Sequence, residues 1–191
     1  MVTDGSGGRK RHTRAATDRP RGISFVELLA CLAVIAVVAA WGAPSFAALA
    51  RDSARTREVN QFIQAVYLAR SEAIKRNGVV SLCPSSDGTA CAPASDWHGG
   101  WLVFVNLDRD SPAARDGDEP LLRVYEPWDS GHILSNRTTL SFRPFGQMGV
   151  TATVTFCDDR GSSAARAVII SQTGRPRVSS RNASGGALTC T

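Results

Sequence analysis

The stretch Gly22-Ile23-Ser24-Phe25-Val26-Glu27-Leu28-Leu29 leads into the longest uncharged run of the chain, 23 residues from Leu28 to Ala50. As a helix rising 1.5 Å per residue, that run spans about 34 Å, enough to cross a bilayer core. Arg9-Lys10-Arg11, Arg14, Arg19 and Arg21 precede it. By the positive-inside rule the N-terminus then stays cytoplasmic and everything after Ala50 is exported. A cleaved secretory signal has an apolar run about half as long, ending at a small-residue site. An ordinary signal anchor is the simpler alternative. Glu27 does not fit it, because an unpaired carboxylate in lipid costs a few kcal/mol and calls for a partner.

The charge of the whole chain, +5 from 22 Lys+Arg against 17 Asp+Glu, is unevenly placed. Met1–Gly22 carries six basic and two acidic residues, Ile23–Arg160 twelve and fifteen, and Gly161–Thr191 four Arg and no acid. The protein is therefore not uniformly basic, and its 43% hydrophobic content excludes a wholly disordered chain.

After Ala50 the pattern turns amphipathic. Val59, Phe62, Ile63, Val66, Ala69, Ala73 and Ile74 recur at helical spacing, with Arg51, Arg55, Arg57, Arg70 and Arg76 off the stripe. Glu72 and Arg76 form an i,i+4 pair, and Asn77-Gly78 is a plausible stop. One long helix is predicted from about Ile23 to Asn77, with Pro44 as a point of bending or interruption. From Val79 onward short β-like runs follow: Val79–Cys83, Trp101–Asn106, Leu121–Tyr125, Thr139–Phe142, Thr151–Cys157 and Ala167–Ser171. One helix followed by several strands implies an α+β domain with an antiparallel sheet on the helix.

The exported part holds Cys83, Cys91, Cys157 and Cys190. In an oxidising compartment four Cys read as two disulfides, with three pairings open. We expect Cys83–Cys91, closing a short Pro/Ser/Gly loop, and Cys157–Cys190, tying the tail to a strand end. Zinc is the rival, but neither pair has CxxC spacing and no His is close in sequence. Cys31, in the apolar helix, reads as a small apolar residue.

The junction at Gly22 resembles the class III leader of type IV pilins and type II secretion pseudopilins. The resemblance implies that a prepilin peptidase cuts after Gly22 and that Ile23 becomes the N-methylated mature terminus. Glu27 would neutralise a neighbouring subunit's N-terminal amine during assembly, and Pro44 sits where these helices carry a helix-bending Pro. Cleavage would leave sixteen basic and fifteen acidic residues, so the leader's charge says nothing about partners of the mature chain. Within these proteins the chain is similar to the FimT/GspH group. The residues that carry this are Ala69-Arg70-Ser71-Glu72-Ala73-Ile74, Ser81-Leu82-Cys83, Asp87-Gly88, Trp97, Gly100-Trp101-Leu102-Val103-Phe104-Val105 and Gln172-Thr173-Gly174-Arg175-Pro176-Arg177. The implied fold is α+β, the type IV pilin fold: a long N-terminal helix, membrane-spanning in its first half, packed against an antiparallel β-sheet domain. The implied divisions are a cytoplasmic leader 1–22, a transmembrane and assembly helix 23–50, an amphipathic half 51–78 and a periplasmic domain 79–191 with a basic tail.

No catalytic set is evident. His98 and His132 are the only exported histidines, and no Ser lies in a G-x-S-x-G context. A non-enzymatic protein without cofactor or bound metal is expected. Trp97-His98-Gly99-Gly100-Trp101 reads as core or turn packing, with a ligand platform as the alternative. Asp108, Asp110, Asp116, Asp118 and Glu119 read as a solvated hairpin loop; calcium is the alternative, although Pro112 takes an EF-hand ligand position. The tail is the stronger candidate. Arg175, Arg177 and Arg181 stand with Ser179, Ser180 and Asn182, and no acid occurs after Asp159. In extended chain Arg175 and Arg177 share a face. Arg forks grip phosphate, and without interleaved aromatics the expected mode is sequence-independent backbone binding. In FimT-like pilins a GRxR tail is associated with DNA binding in natural transformation, and Gly174, Arg175 and Arg177 match it.

The resulting expectation is a minor pilin of the inner membrane and periplasm that binds double-stranded DNA. Its partners would be other pilins or pseudopilins, prepilin peptidase and the inner membrane. The alternative is a purely structural GspH-like pseudopilin of the type II secretion system that initiates or caps the pseudopilus.

Overall fold

The computed structural model describes residues 22–93 and 97–190. The leader before Gly22 lies outside the described residues, as do the side chains of residues 42–44 and with them the expected bend at Pro44. The elements run α1 (Phe25–Arg76), β1 (Val79–Pro84), β2 (Trp101–Asn106), β3 (Leu121–Tyr125), β4 (Gly131–Ser135), β5 (Leu140–Phe142), β6 (Ala152–Asp158), β7 (Arg166–Ile170) and β8 (Pro176–Ser179). The chain divides into two compact units at Pro44. In the first, Leu28, Leu29, Val34, Ile35 and Val38 are all exposed. A helix apolar on every side needs a nonaqueous surrounding. By length and composition α1 can cross a membrane.

The second unit starts at Ser45. Its helix ends where Asn77-Gly78 predicts. Asn77 takes φ 49°, its N–H reaches the Ile74 carbonyl (3.2 Å), and the Gly78 N–H reaches that of Ala73 (3.1 Å). This paired closure satisfies two of the carbonyls that a helix end leaves free. Val59, Phe62, Val66, Ala69 and Ala73 are buried as the periodicity requires. Two residues depart from it. Ile74 is exposed, being in the last turn, and Arg55 is buried at 5% exposure instead of lying off the stripe in solvent.

Six strands coincide with the predicted runs to within one or two residues; β4 and β8 are additional. Gly131–Ser135 is short and carries no clear alternation. Pro176–Ser179 opens on a Pro, which a strand tolerates at its first residue on a sheet edge. The pairing is antiparallel throughout, but it forms two four-stranded sheets, β3-β2-β1-β5 and β4-β6-β7-β8. Phe62 of α1 joins them. Its ring meets Trp97, Trp101 on β2 and Phe156 on β6 edge-on, at 5.7, 5.6 and 5.8 Å. Trp97 and Trp101 are wholly buried, so the Trp-His-Gly-Gly-Trp segment is core. The Trp97 N–H donates to the Ile133 carbonyl (2.8 Å), tying this loop to β4.

β6 alternates in sequence as a half-buried strand should, yet both of its faces are covered. The C-terminal segment supplies the second cover: Leu188 and Cys190 pack with Cys157, Ala165, Ala167 and Ile169. Disulfides join Cys83 to Cys91 and Cys157 to Cys190. Within the first loop Asp87 accepts the N–H groups of Thr89 (2.8 Å) and Ala90 (3.0 Å), which hold its carboxyl far below the usual carboxylate range.

The second bridge closes a chain separation of 33 residues. Replacing Cys157 and Cys190 together by Ser is expected to cost about 3 kcal/mol and to release the segment after β8. Urea unfolding and amide exchange of residues 182–190 measure both effects. Unchanged exchange there would show that Leu188 packing alone holds the segment.

Candidate nucleic-acid interface

The arginine cluster is built on a hairpin. β7 and β8 pair with Ile169 opposite Arg177 and Ile170 opposite Pro176. Their turn closes as the Ser171 N–H donates to the Arg175 carbonyl (3.1 Å) and the Gly174 N–H to that of Ser171 (2.8 Å). Gly174 has φ +72°, and a Cβ there would lie 2.3 Å from the Gly146 carbonyl oxygen. Only glycine fits, which gives the first residue of the Gly-Arg-x-Arg string a backbone reason.

Directly paired residues on adjacent strands share a face. Arg177 therefore stands on the face of Ile169, away from the helix, and alternation puts Arg175 on the same side. Both are exposed, and among the described residues neither makes an ion pair or a side-chain hydrogen bond. Arg181 is also exposed, but it follows β8 and is partly engaged: one guanidinium N–H reaches the Gly185 carbonyl (3.1 Å). Asn182 organises that loop by accepting from the Ser184 N–H (3.1 Å) and the Gly186 N–H (2.8 Å). The cluster is thus one free guanidinium on β8, a second on the turn residue just before it and a third in a tied-down loop, not a loose tail.

The remaining predicted residues lie elsewhere. Gly22 and Ile23 precede α1, and Glu27 is in its first turn, where a carboxylate faces the positive end of the helix dipole. In the acidic loop the carboxylates turn inward more than the sequence suggested. Glu119 is only 2% exposed and accepts from the N–H groups of Leu107 (2.6 Å) and Asp116 (3.1 Å). Asp110 accepts from Asn106 Nδ2 (2.9 Å) and the Ala114 N–H (2.8 Å). These groups shape the loop itself. His98 and His132 meet edge-on at 5.5 Å.

Two features near the cluster are absent from its local sequence. Phe145, 83% exposed, adjoins Gly146, whose carbonyl abuts Gly174. The fold therefore brings the backbone next to an exposed aromatic up to the turn that precedes Arg175. A groove beside the same loop holds Arg109, Arg137 and Arg143, far apart along the chain and unremarked by any motif.

Among solved structures, the chain is similar to two crystal forms of the type IV minor pilin FimU of Pseudomonas aeruginosa PAO1. One is 24% identical, covering 73% of this chain and 98% of that one, with a TM-score of 0.50. The other is 21% identical, covering 76% and 99%, with a TM-score of 0.52. The likeness establishes the fold: a long helix on antiparallel sheets. No curated protein matches the sequence. The family pattern described as "Type II transport protein GspH" matches residues 58–174, from the buried half of α1 to the Gly174 turn, and stops one residue before Arg175. With that pattern spanning most of the globular unit, this chain belongs to the GspH family.

Proposed function

We propose that this protein is a minor pilin or pseudopilin, cut after Gly22 and assembled through Ile23 and Glu27. We propose further that it binds double-stranded DNA through Arg175, Arg177 and Arg181. It would be anchored in the inner membrane by α1 with its β domain in the periplasm, partnered by other pilins and by prepilin peptidase. The GspH family membership and the pilin fold support the filament role. The observation that carries the DNA reading is the pair Arg175 and Arg177: exposed, one at the entry to an edge strand and one on it, with no acid beside them in sequence. Guanidinium forks in that state bind phosphate oxygens and read no base.

Three phosphate contacts contribute about −2.7 to the log–log salt dependence of binding, about 0.9 each. Arg175→Gln with Arg177→Gln is expected to remove about 1.8 of that slope and to weaken binding roughly 30-fold at 0.15 M salt, for every sequence alike. The titration uses the full chain in neutral nanodiscs at several salt concentrations, with circular dichroism as the folding check. Equal binding by the variant would remove the tail from the interface. The GspH description favours a second reading, a structural subunit of type II secretion; absence of any DNA binding by wild type at low salt would leave that reading alone.

A further inference from the structure

We propose that the groove holding Arg109, Arg137 and Arg143 is a second phosphodiester-binding site, continuous with the β7–β8 turn. This rests on the DNA reading above and extends it to residues outside the tail. The groove encloses about 750 Å³, a volume typical of occupied ligand sites. Its rim carries three guanidiniums from three separate loops, and Thr138 and Ser141 add hydroxyls. Among the described residues none of the three Arg is in an ion pair. Among those residues Arg137 uses one donor, Nε to the Thr151 carbonyl (3.2 Å), and the side chains of Arg109 and Arg143 make no hydrogen bond. One acid lines the groove, Asp110, and both of its oxygens are taken up by Asn106 Nδ2 and the Ala114 N–H. Asp110 keeps its charge, but three guanidiniums against one carboxylate leave the lining net positive, and all three Arg are exposed.

Continuity with the tail decides the ligand class. The Gln172 carbonyl, in the β7–β8 turn, accepts the N–H groups of Met148 (3.0 Å) and Gly149 (3.3 Å). Met148 lines the groove, and a Cβ on Gly149 would lie 3.9 Å from the Arg143 guanidinium carbon. One wall of the groove is thus hydrogen-bonded to the turn that presents Arg175. A lone anion would use neither the volume nor this extension. A polyanion with charges repeating along a backbone uses both, and each added contact steepens the salt dependence.

The test compares five full-length proteins in neutral nanodiscs: wild type, Arg109→Gln with Arg143→Gln, Arg175→Gln with Arg177→Gln, all four changes together, and a Lys variant of the groove pair. Each is titrated with a labelled 20-base-pair duplex across salt concentrations. Among the described residues neither the Arg109 nor the Arg143 side chain holds a hydrogen bond, so the groove variant is expected to fold, and Arg109→Lys with Arg143→Lys restores charge as a control. The groove variant is expected to lose about 1.8 of the salt slope and roughly 30-fold in affinity at 0.15 M salt. The four-fold variant should lose about twice that slope, and the Lys variant should stay near wild type. A groove variant with wild-type slope, beside a weakened tail variant, overturns the groove and leaves the tail reading standing. A weakened groove variant beside an unchanged tail variant supports the groove and overturns the tail. No binding by wild type overturns both.

Discussion

Asp158→Ala is expected to destabilise the globular unit by about 3 kcal/mol, the cost of breaking a buried ion pair from one side. Asp158 ends β6 with its side chain 3% exposed. Arg160 grips it through Nη2 (2.6 Å) and Nε (3.1 Å), and Arg55 of α1, its side chain 6% exposed, reaches it at 3.3 Å. Arg55 also donates to the Ala164 carbonyl. Asp52 bridges Arg55 (2.7 Å) and Arg160 (2.8 Å) from the solvent side. The loss falls at the low end of the range for such pairs, because Asp52 still faces both guanidiniums. By contrast, Glu72→Ala breaks pairs with the exposed Lys75 and Arg76 and is expected to cost only about 0.5 kcal/mol. The sign of the pH dependence follows from the same contacts. Hydrogen bonding to Arg160, foremost, holds the Asp158 carboxyl below its ordinary 3.8. A lowered native pKa gives stability that is complete above the unfolded value, near 4, and is lost as pH falls through the native one. Wild type should therefore lose stability below about pH 4, and Asp158→Asn should show a shallower acid limb. Urea unfolding at pH 7 and pH 3 measures both. An Asp158→Ala loss under about 1 kcal/mol at pH 7 would show that the cluster is hydrated and adds little.

The second large effect concerns assembly. Under the proposed processing, Glu27→Ala should still be cut after Gly22 but should enter filaments about 100-fold less well. The amine of Ile23, buried among neighbouring helices, would lose its counter-charge, a penalty of about 3 kcal/mol or more. Glu27 sits in the first turn of α1, among side chains that are otherwise apolar. Mass spectrometry reads the new terminus, and co-sedimentation with the filament reads incorporation. A mature protein that retains Met1–Gly22 in the presence of prepilin peptidase would defeat the pilin reading. Normal incorporation of Glu27→Ala would defeat the assigned role of the carboxylate and nothing more.

What the sequence determined by itself is local. The uncharged run after Glu27, the stripe from Val59 to Ala73, the Asn77-Gly78 stop and six strand segments are all set by neighbours within a turn or a pleat, so periodicity reveals them. The Gly-Arg-x-Arg string is also local, because a tight turn at Gly174 and the extended residues after it orient its two arginines. What only the tertiary structure decided is every feature that depends on how the chain folds back on itself. Arg55 reads as one more solvent-facing arginine until β6 brings Asp158 against it. Glu119 reads as part of a solvated acidic loop until the Leu107 and Asp116 N–H groups turn it inward. The outer face of β6 reads as exposed until Leu188 and the Cys157–Cys190 bridge cover it. Arg109, Arg137 and Arg143 share no spacing that a pattern could detect, and only the pairing of β1 with β5 and the loops around it bring them to one groove. A charge in a sequence carries no mark of its partner. Whether it is solvated, buried or free to meet a ligand depends on which remote segment packs beside it, and that is a property of the fold.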